Sequence, residues 1–299
     1  MSKRRISNKH RFITLVFMLA FLMAAAYLVV TFQSGRPDAL PAAPASGDLL
    51  YVQFIDVGQG DSTLITTSTG ETMLIDAGES SSADAVFEEL DERGINDIDV
   101  LVATHPHSDH IGGIQSVISR YDIGRVLMPD MTSDSKTYTE LMETINNESI
   151  PLTEGYAGYR FSLGSALCTV VSPNASDDKD ANNESIVIYL DFGDTDFLFT
   201  GDMEEWAEER VLEAHYYIDA DVLKVAHHGS STSTSDAFLS AITPEYAVIS
   251  CGLGNSYGHP HDEALDRLGK AGAEIYRTDV QSDILFTSDG KTLIVKTGD

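Results

Sequence analysis

Thr104-His105-Pro106-His107-Ser108-Asp109-His110-Ile111-Gly112-Gly113 is the stretch that most restricts how this chain can fold. It directly follows the β-branched run Val100–Ala103 and precedes a helical pattern at 112–119. Three histidines and an aspartate within six residues, at the C-terminal end of a strand, can converge on one point. Imidazole and carboxylate together suit zinc or manganese, and a strand-to-helix turn fixes their directions. Gly112 and Gly113 let the backbone turn tightly and approach the site closely. A His-rich solvated turn is the plain alternative. It would fit a lone pair of histidines better than it fits this spacing.

The surrounding body reads as layered sheet and helix. Apolar, β-branched runs recur at Leu50–Val57, Thr63–Thr67, Thr72–Ile75, Cys168–Val171, Ile186–Leu190, Phe197–Phe199, Val222–Val225, Ala247–Ile249, Ile284–Phe286 and Thr292–Val295. Helical patterns fall at 82–93, 112–119, 137–146, 203–214, 236–242 and 262–271, often behind Ser, Thr or Asp caps. Strands cluster early in each half and alternate with helices later, which predicts an α/β or α+β layered domain. With 42% hydrophobic residues in 299, a substantial core is available, so wholesale disorder and collagen-like repeats are excluded. Cys168 and Cys251 are too few for a disulfide framework or a Cys-rich zinc site, and either pair or stay free.

Ahead of the body, Phe12 to Phe32 is a run of 21 uncharged residues behind a basic cluster. As a helix it would span roughly 31 Å, close to the hydrocarbon thickness of a bilayer. The expected organisation is a basic cytoplasmic flank at 1–11, a transmembrane signal-anchor at 12–32, a Pro/Ala-rich linker at 33–48 and one domain at 49–299. The basic end stays in the cytoplasm, which makes the chain a single-pass protein of the cell membrane with its body outside. The alternative is a cleaved signal peptide and a secreted body, with Ala24–Ala26 and the Ala-rich stretch at 42–45 as possible peptidase sites.

The formal charge of −28 is unevenly spread. Residues 1–36 hold six Lys or Arg and no acid, leaving 13 basic against 47 acidic groups, a net of −34, in 37–299. Such a body repels polyanions, because nucleic-acid affinity rests largely on phosphates neutralised by Lys and Arg. No P-loop, dinucleotide fingerprint or basic aromatic surface accompanies it.

Further motifs follow in order. They are Asp56-Val57-Gly58-Gln59-Gly60-Asp61, Leu74-Ile75-Asp76-Ala77-Gly78, Asn182-Asn183-Glu184-Ser185, Phe199-Thr200-Gly201-Asp202, Lys224-Val225-Ala226-His227-His228-Gly229-Ser230 and Gly254-Asn255-Ser256-Tyr257-Gly258-His259-Pro260. With the His-x-His-x-Asp-His segment, they resemble the metallo-β-lactamase superfamily. Within it, the likeness is to the hydrolase-like domain of ComEC-type competence proteins, and it covers nearly all of 49–299. The phosphorylcholine esterase that trims teichoic acids shares the pattern.

The resemblance implies an αββα metallo-β-lactamase sandwich, here preceded by one N-terminal transmembrane helix, with two divalent ions, Zn2+ or Mn2+, between the sheets. By that likeness His105 and His107 would bind the first ion, Asp109 and His110 the second, and Asp202 both. His227 would complete the second site. His228 is its rival, since adjacent residues of a strand point to opposite faces. Asp56, Asp61 and Asp76 fit places where carboxylates orient metal-bound histidines, or else form turns beside Gly58, Gly60 and Gly78. His259 would give a proton to a leaving group or hold a phosphate, or is a structural loop histidine. No histidine lies between His110 and His215, where many relatives supply one. Asn183 or water would take that place.

The function so implied is a membrane-anchored, extracytoplasmic, dinuclear metal-dependent hydrolase, with a phosphodiesterase or nuclease-like activity on an anionic phosphoester and with Asp109 and His259 as catalytic residues. Nucleic acid would be engaged only through the metal site. Two other readings stand beside it. One is a phosphorylcholine esterase-like hydrolase, weakened because a single Trp206 excludes a Trp-rich choline-binding array. The other is a non-catalytic accessory module in DNA uptake or envelope assembly.

Overall fold

A computed structural model describes residues 44–174 and 180–298. The basic flank, the 12–32 segment and most of the linker lie outside the described residues. Among the described residues, no helix is long and apolar enough to cross a membrane.

Two sheets carry the architecture. The first has eight strands in the spatial order β17 (Leu293–Thr297), β16 (Ile284–Ser288), β1 (Leu50–Phe54), β2 (Thr63–Thr67), β3 (Thr72–Ile75), β5 (Val100–Val102), β7 (Val126–Met128) and β8 (Leu152–Glu154). The second has seven, β15 (Glu274–Arg277), β14 (Tyr246–Ile249), β13 (Val222–Lys224), β12 (Thr195–Phe199), β11 (Val187–Phe192), β10 (Ala166–Ser172) and β9 (Arg160–Leu163). A two-residue pair, β4 (Asp97–Ile98) and β6 (Asp122–Ile123), stands apart. In each sheet an antiparallel meander gives way to parallel strands, β3 to β8 in the first and β12 to β15 in the second.

Strand periodicity explains the layering, because successive side chains leave opposite faces of a sheet. Val100 and Val102 enter the core between the sheets, while Leu101 packs outward with Val86, Leu90, Val117 and Leu141. Phe197 and Phe199 likewise point inward, and Leu198 outward with Val211 and Phe238. Helices at Ala83–Glu92, Ile114–Ile118 and Lys136–Asn147 cover one outer face, and those at Glu205–Glu213, Asp236–Ile242 and Asp262–Ala271 the other. The four layers are therefore helix, sheet, sheet, helix, a mixed α/β fold. Cys168 and Cys251 are free and buried.

The topology decides where a site can form. Chain segments leaving the C-terminal ends of parallel strands must turn back over the sheet edge, and in such sheets ligands sit at those ends. Asp76 follows β3, His105 to His110 follow β5, Asp202 follows β12 and His228 follows β13. Two glycines keep these loops close. A side chain on Gly60 (φ +145°) would strike the Asp109 carbonyl, and one on Gly113 the Ala77 carbonyl.

Candidate metal centre

Asp202 is the hub. Its Oδ2 lies 3.2 Å from His110 Nε2, 3.4 Å from His228 Nε2, 3.8 Å from His227 Nε2 and 3.9 Å from His105 Nε2. Donor atoms of Asp109, His110, Asp202 and His228 all fall within 4.8 Å of one another, and so do those of His105, His107 and Asp202. Within the first group, His228 Nε2 is 3.2 Å and His110 Nε2 4.0 Å from Asp109 Oδ2. In the second, His105 Nε2 faces His107 Nδ1 at 3.0 Å. Four donors held about 2.1 Å from one ion stand about 3.4 Å apart along each tetrahedron edge. These spacings therefore match donors around an ion. His110 Nε2 and Asp202 Oδ1 are buried without a hydrogen bond of good geometry, which is what a ligand atom aimed at an ion shows. The donor set fits a pair of divalent ions that share Asp202.

Each inner histidine is aimed through its other nitrogen. His110 Nδ1–H donates to Asp76 Oδ2 at 2.8 Å, and the Thr104 N–H (2.9 Å) and Oγ1–H (2.6 Å) complete the shell of that carboxylate. Asp76 sits in a left-handed turn, φ 57°, that tips it off the end of β3. His105 Nδ1–H reaches Thr104 Oγ1 at 3.1 Å, with Ser185 Oγ 3.4 Å away. Ser185 Oγ also accepts from the Asp202 N–H at 3.1 Å. His228 Nδ1–H donates to the Ser250 carbonyl at 2.9 Å, with Asp61 Oδ1 3.2 Å away. Asp61 in turn pairs through Oδ2 with Lys224 Nζ at 2.6 Å. Such outer partners fix tautomer and ring direction, and their loss typically weakens metal affinity about 10–100-fold.

The charges are matched to one another. Burial opposes ionisation of Asp202, yet His110 and His228 hold its carboxyl well below the usual range. Burial likewise opposes charge on Asp61, and Lys224, His228 and His110 outweigh it. His110 and His228 are pushed well up against burial, chiefly by Asp202. The carboxylates thus demand positive charge at this place. The neighbouring grouping of Asp61, Asp76 and His110 is support, because His110 meets it with its donating Nδ1 and Lys224 already neutralises Asp61.

The sequence signature of the Metallo-beta-lactamase superfamily matches residues 55–151 and 180–253. The chain belongs to that superfamily. ComE operon protein 3 of Bacillus subtilis is 29% identical over 252 residues, covering 79% of this chain and 32% of that protein. Competence protein ComA of Neisseria gonorrhoeae is 30% identical over 264 residues, covering 88% of this chain and 35% of that protein. The chain spans about a third of the length of these relatives, which are ComEC-type competence proteins. A metallo hydrolase from Ignicoccus hospitalis superposes with a TM-score of 0.53 at 14% identity, covering 79% of this chain and 98% of the other, a likeness of fold alone. Family and donor set together point to a dinuclear metal centre in this chain.

Several expected residues sit elsewhere than the sequence placed them. His228, not His227, stands in the group with Asp109 and His110. His227 stands in neither donor group; its Nε2 is 3.8 Å from Asp202 Oδ2 and its Nδ1 lies 3.2 Å from Glu204 Oε1. Strand alternation does not apply to the two, because β13 ends at Lys224 and both histidines adopt left-handed backbone, φ 50° and 55°. Asn183 accepts the Glu204 N–H at 3.3 Å, whereas Asn182 lines the cleft with its Oδ1 buried and without a hydrogen bond. Asp56 is a turn residue, accepting the Gly58 N–H at 3.0 Å, and its own N–H donates to Asp283 Oδ1 at 2.6 Å. His259 lines the cleft, its ring 5.9 Å from that of His228. Burial, then His228, His227 and His261, lower its pKa to about 4, so its ring is neutral at pH 7.

Thr104, Ser185 and Lys224 were missed as site residues. Lys224 carried a signal. It is two residues beyond the inward-facing Val222, so strand parity points its side chain between the sheets.

Proposed function

We propose that the body is a dinuclear phosphodiester hydrolase held outside the cytoplasm by a membrane anchor at residues 12–32. The observation that carries the hydrolytic part is the single carboxylate oxygen of Asp202 shared by two donor groups. His105, His107 and Asp202 would hold one ion, and Asp109, His110, His228 and Asp202 the other, Zn2+ or Mn2+. Paired ions supply a nucleophile at neutral pH by acidifying water and clamp an in-line displacement at phosphorus. The chain does the rest. Asp76, through His110, and Ser250 with Asp61, through His228, fix the directions in which the donors point. Neutral His259, at the cleft wall, is suited to hold a phosphoryl oxygen by an N–H bond rather than to deliver a proton as imidazolium. Relatives named for competence favour a nucleic-acid strand as the source of the phosphodiester, and the acidic body favours contact confined to the centre.

The test is metal analysis of the purified chain beside a hydrolysis panel of single-stranded DNA, bis-p-nitrophenyl phosphate and p-nitrophenyl phosphorylcholine. Close to two ions per chain and metal-dependent cleavage of the first two substrates are expected. A folded chain that takes up no metal would make it an accessory module, and cleavage of the choline ester alone would transfer the activity to that class. For the anchor, protease added to intact, wall-stripped cells should digest the body; digestion only after lysis would reverse the topology.

A further inference from the structure

We infer that Tyr257 is a stacking platform for an unpaired, planar heteroaromatic base carried by the substrate beside its scissile phosphate, an inference that rests on the phosphodiester reading. Tyr257 lines the same cleft of about 340 Å3 as Asp109, Asp202 and His228. Its side chain is 66% exposed. One face of the ring lies along His259, with centroids 5.6 Å apart and planes inclined by 20°, so the exposed surface is the opposite face and edge. Leu253, on the same loop, is 86% exposed.

The loop is built to hold its backbone still beneath the ring. Asn255 Oδ1 accepts the N–H groups of Tyr257 (3.1 Å) and His259 (3.0 Å), and Nδ2 donates to the carbonyls of Gly252 (2.9 Å) and His259 (2.6 Å). Both lone pairs and both donors of one amide are thus spent on loop geometry. With the backbone fixed in this way and His259 behind the ring, a ligand landing on Tyr257 requires little further ordering of the loop.

The remaining lining says what kind of ligand that is. Among the described residues, no lysine or arginine lines the cleft, and outside the candidate metal centre a substrate meets Gln59, Ser108, Asn182, His227, Tyr257 and His259. Phosphate neutralisation, the usual source of nucleic-acid affinity, is absent from these walls. Stacking on an aromatic face needs no charge and accepts any base. A base inside a duplex has both faces covered by its stacked neighbours, so the ring must come from a single strand or a frayed end.

The test uses the full chain loaded with zinc, with Tyr257→Ala and Tyr257→Phe beside it. The probes are a short phosphodiester carrying 2-aminopurine next to the scissile bond and its abasic counterpart. Binding is read by stopped-flow fluorescence quenching and by competition, and KM and kcat where cleavage occurs. Tyr257→Ala should reduce the preference for base over abasic probe about 10-fold, through KM rather than kcat, while Tyr257→Phe keeps it. An unchanged preference in Tyr257→Ala overturns the platform even if both probes are cleaved. Tyr257-dependent base binding without cleavage of either probe leaves the platform standing and removes the phosphodiesterase reading instead.

Discussion

The parallel strands β12, β13 and β14 carry acids at both ends, and the two ends treat them in opposite ways. At the C-terminal ends, Asp202 is buried among histidines, and Asp61 reaches in from the first sheet to meet Lys224 and His228. These carboxyls are held below their ordinary range despite burial. At the N-terminal ends, Asp196 sits with Asp191, Asp219 and Asp221. Burial and those neighbouring carboxylates push it up to about 6, against a hydrogen bond from Tyr189. One end is organised around a positive charge; the other tolerates crowded negative charge at the rim. Removing an acid should therefore destroy function at the first end and stabilise the fold at the second.

Asp202→Ala should have the largest effect. It removes the oxygen common to both donor groups, so neither group is left complete. Turnover should fall at least about 100-fold, the scale of losing one preorganised electrostatic contact in an active site. The fold should survive, because Asp202 follows the end of β12 and is outside the apolar layers. Metal content and circular dichroism on the variant check both halves. Two retained ions with near-normal turnover would break the comparison at its centre.

His228→Ala and His227→Ala come next, as a pair. The first should lose one of the two ions and most of the activity. The second should keep both ions and stay within a few-fold of the parent, since His227 contacts Glu204 more closely than Asp202. The reverse outcome would restore His227 as the ligand. Lys224→Met acts one step further out. It leaves Asp61 buried beside His228 without its ammonium partner, and one ion should bind about 10–100-fold more weakly. Titrating metal into the stripped variant reads this directly. Lys224→Met combined with Asp61→Asn should fold better than Lys224→Met alone, because the uncompensated buried carboxylate is gone.

These experiments follow the line between what the sequence made legible and what it hid. The 105–110 cluster was readable because its donors are local, fixed by one strand and one turn. Asp202 was readable through the resemblance to the metallo-β-lactamase superfamily, at the end of the short apolar run Phe197–Phe199. The choice between His227 and His228 was not, since the chain leaves β13 at Lys224 and enters two consecutive left-handed residues with only Gly229 to hint at it. Asn182, not the expected Asn183, lines the cleft for a similar reason, a short 310 turn at Asn182–Glu184 that no periodicity marks. Strands β7 and β8 are three residues long, and β8 and β15 are partly or largely exposed, so neither length nor alternation announced them. Lys224 was passed over because lysine is normally a surface residue, whereas here it is only 3% exposed.

Asp196→Asn should have the smallest effect, and the opposite sign. The folded carboxyl titrates near 6 against an ordinary value of 3.8, so ionisation costs more in the folded chain than in the unfolded one. A raised acid pKa lowers stability as pH climbs from the unfolded value through the folded one, and the loss is complete above it. Asparagine cannot ionise, so the variant should gain about 1 kcal/mol above roughly pH 7, after allowance for solvent screening at this half-exposed position. The gain should shrink as pH falls from about 6 and vanish below about 4, where the native carboxyl is protonated in both states. Its backbone N–H bond to Asp221 Oδ2, 2.8 Å, is untouched by the change. Urea melts of parent and variant across that pH range measure the difference. A variant less stable than the parent at neutral pH would mean that the far-end cluster needs its full charge, and the contrast between the two ends would fail.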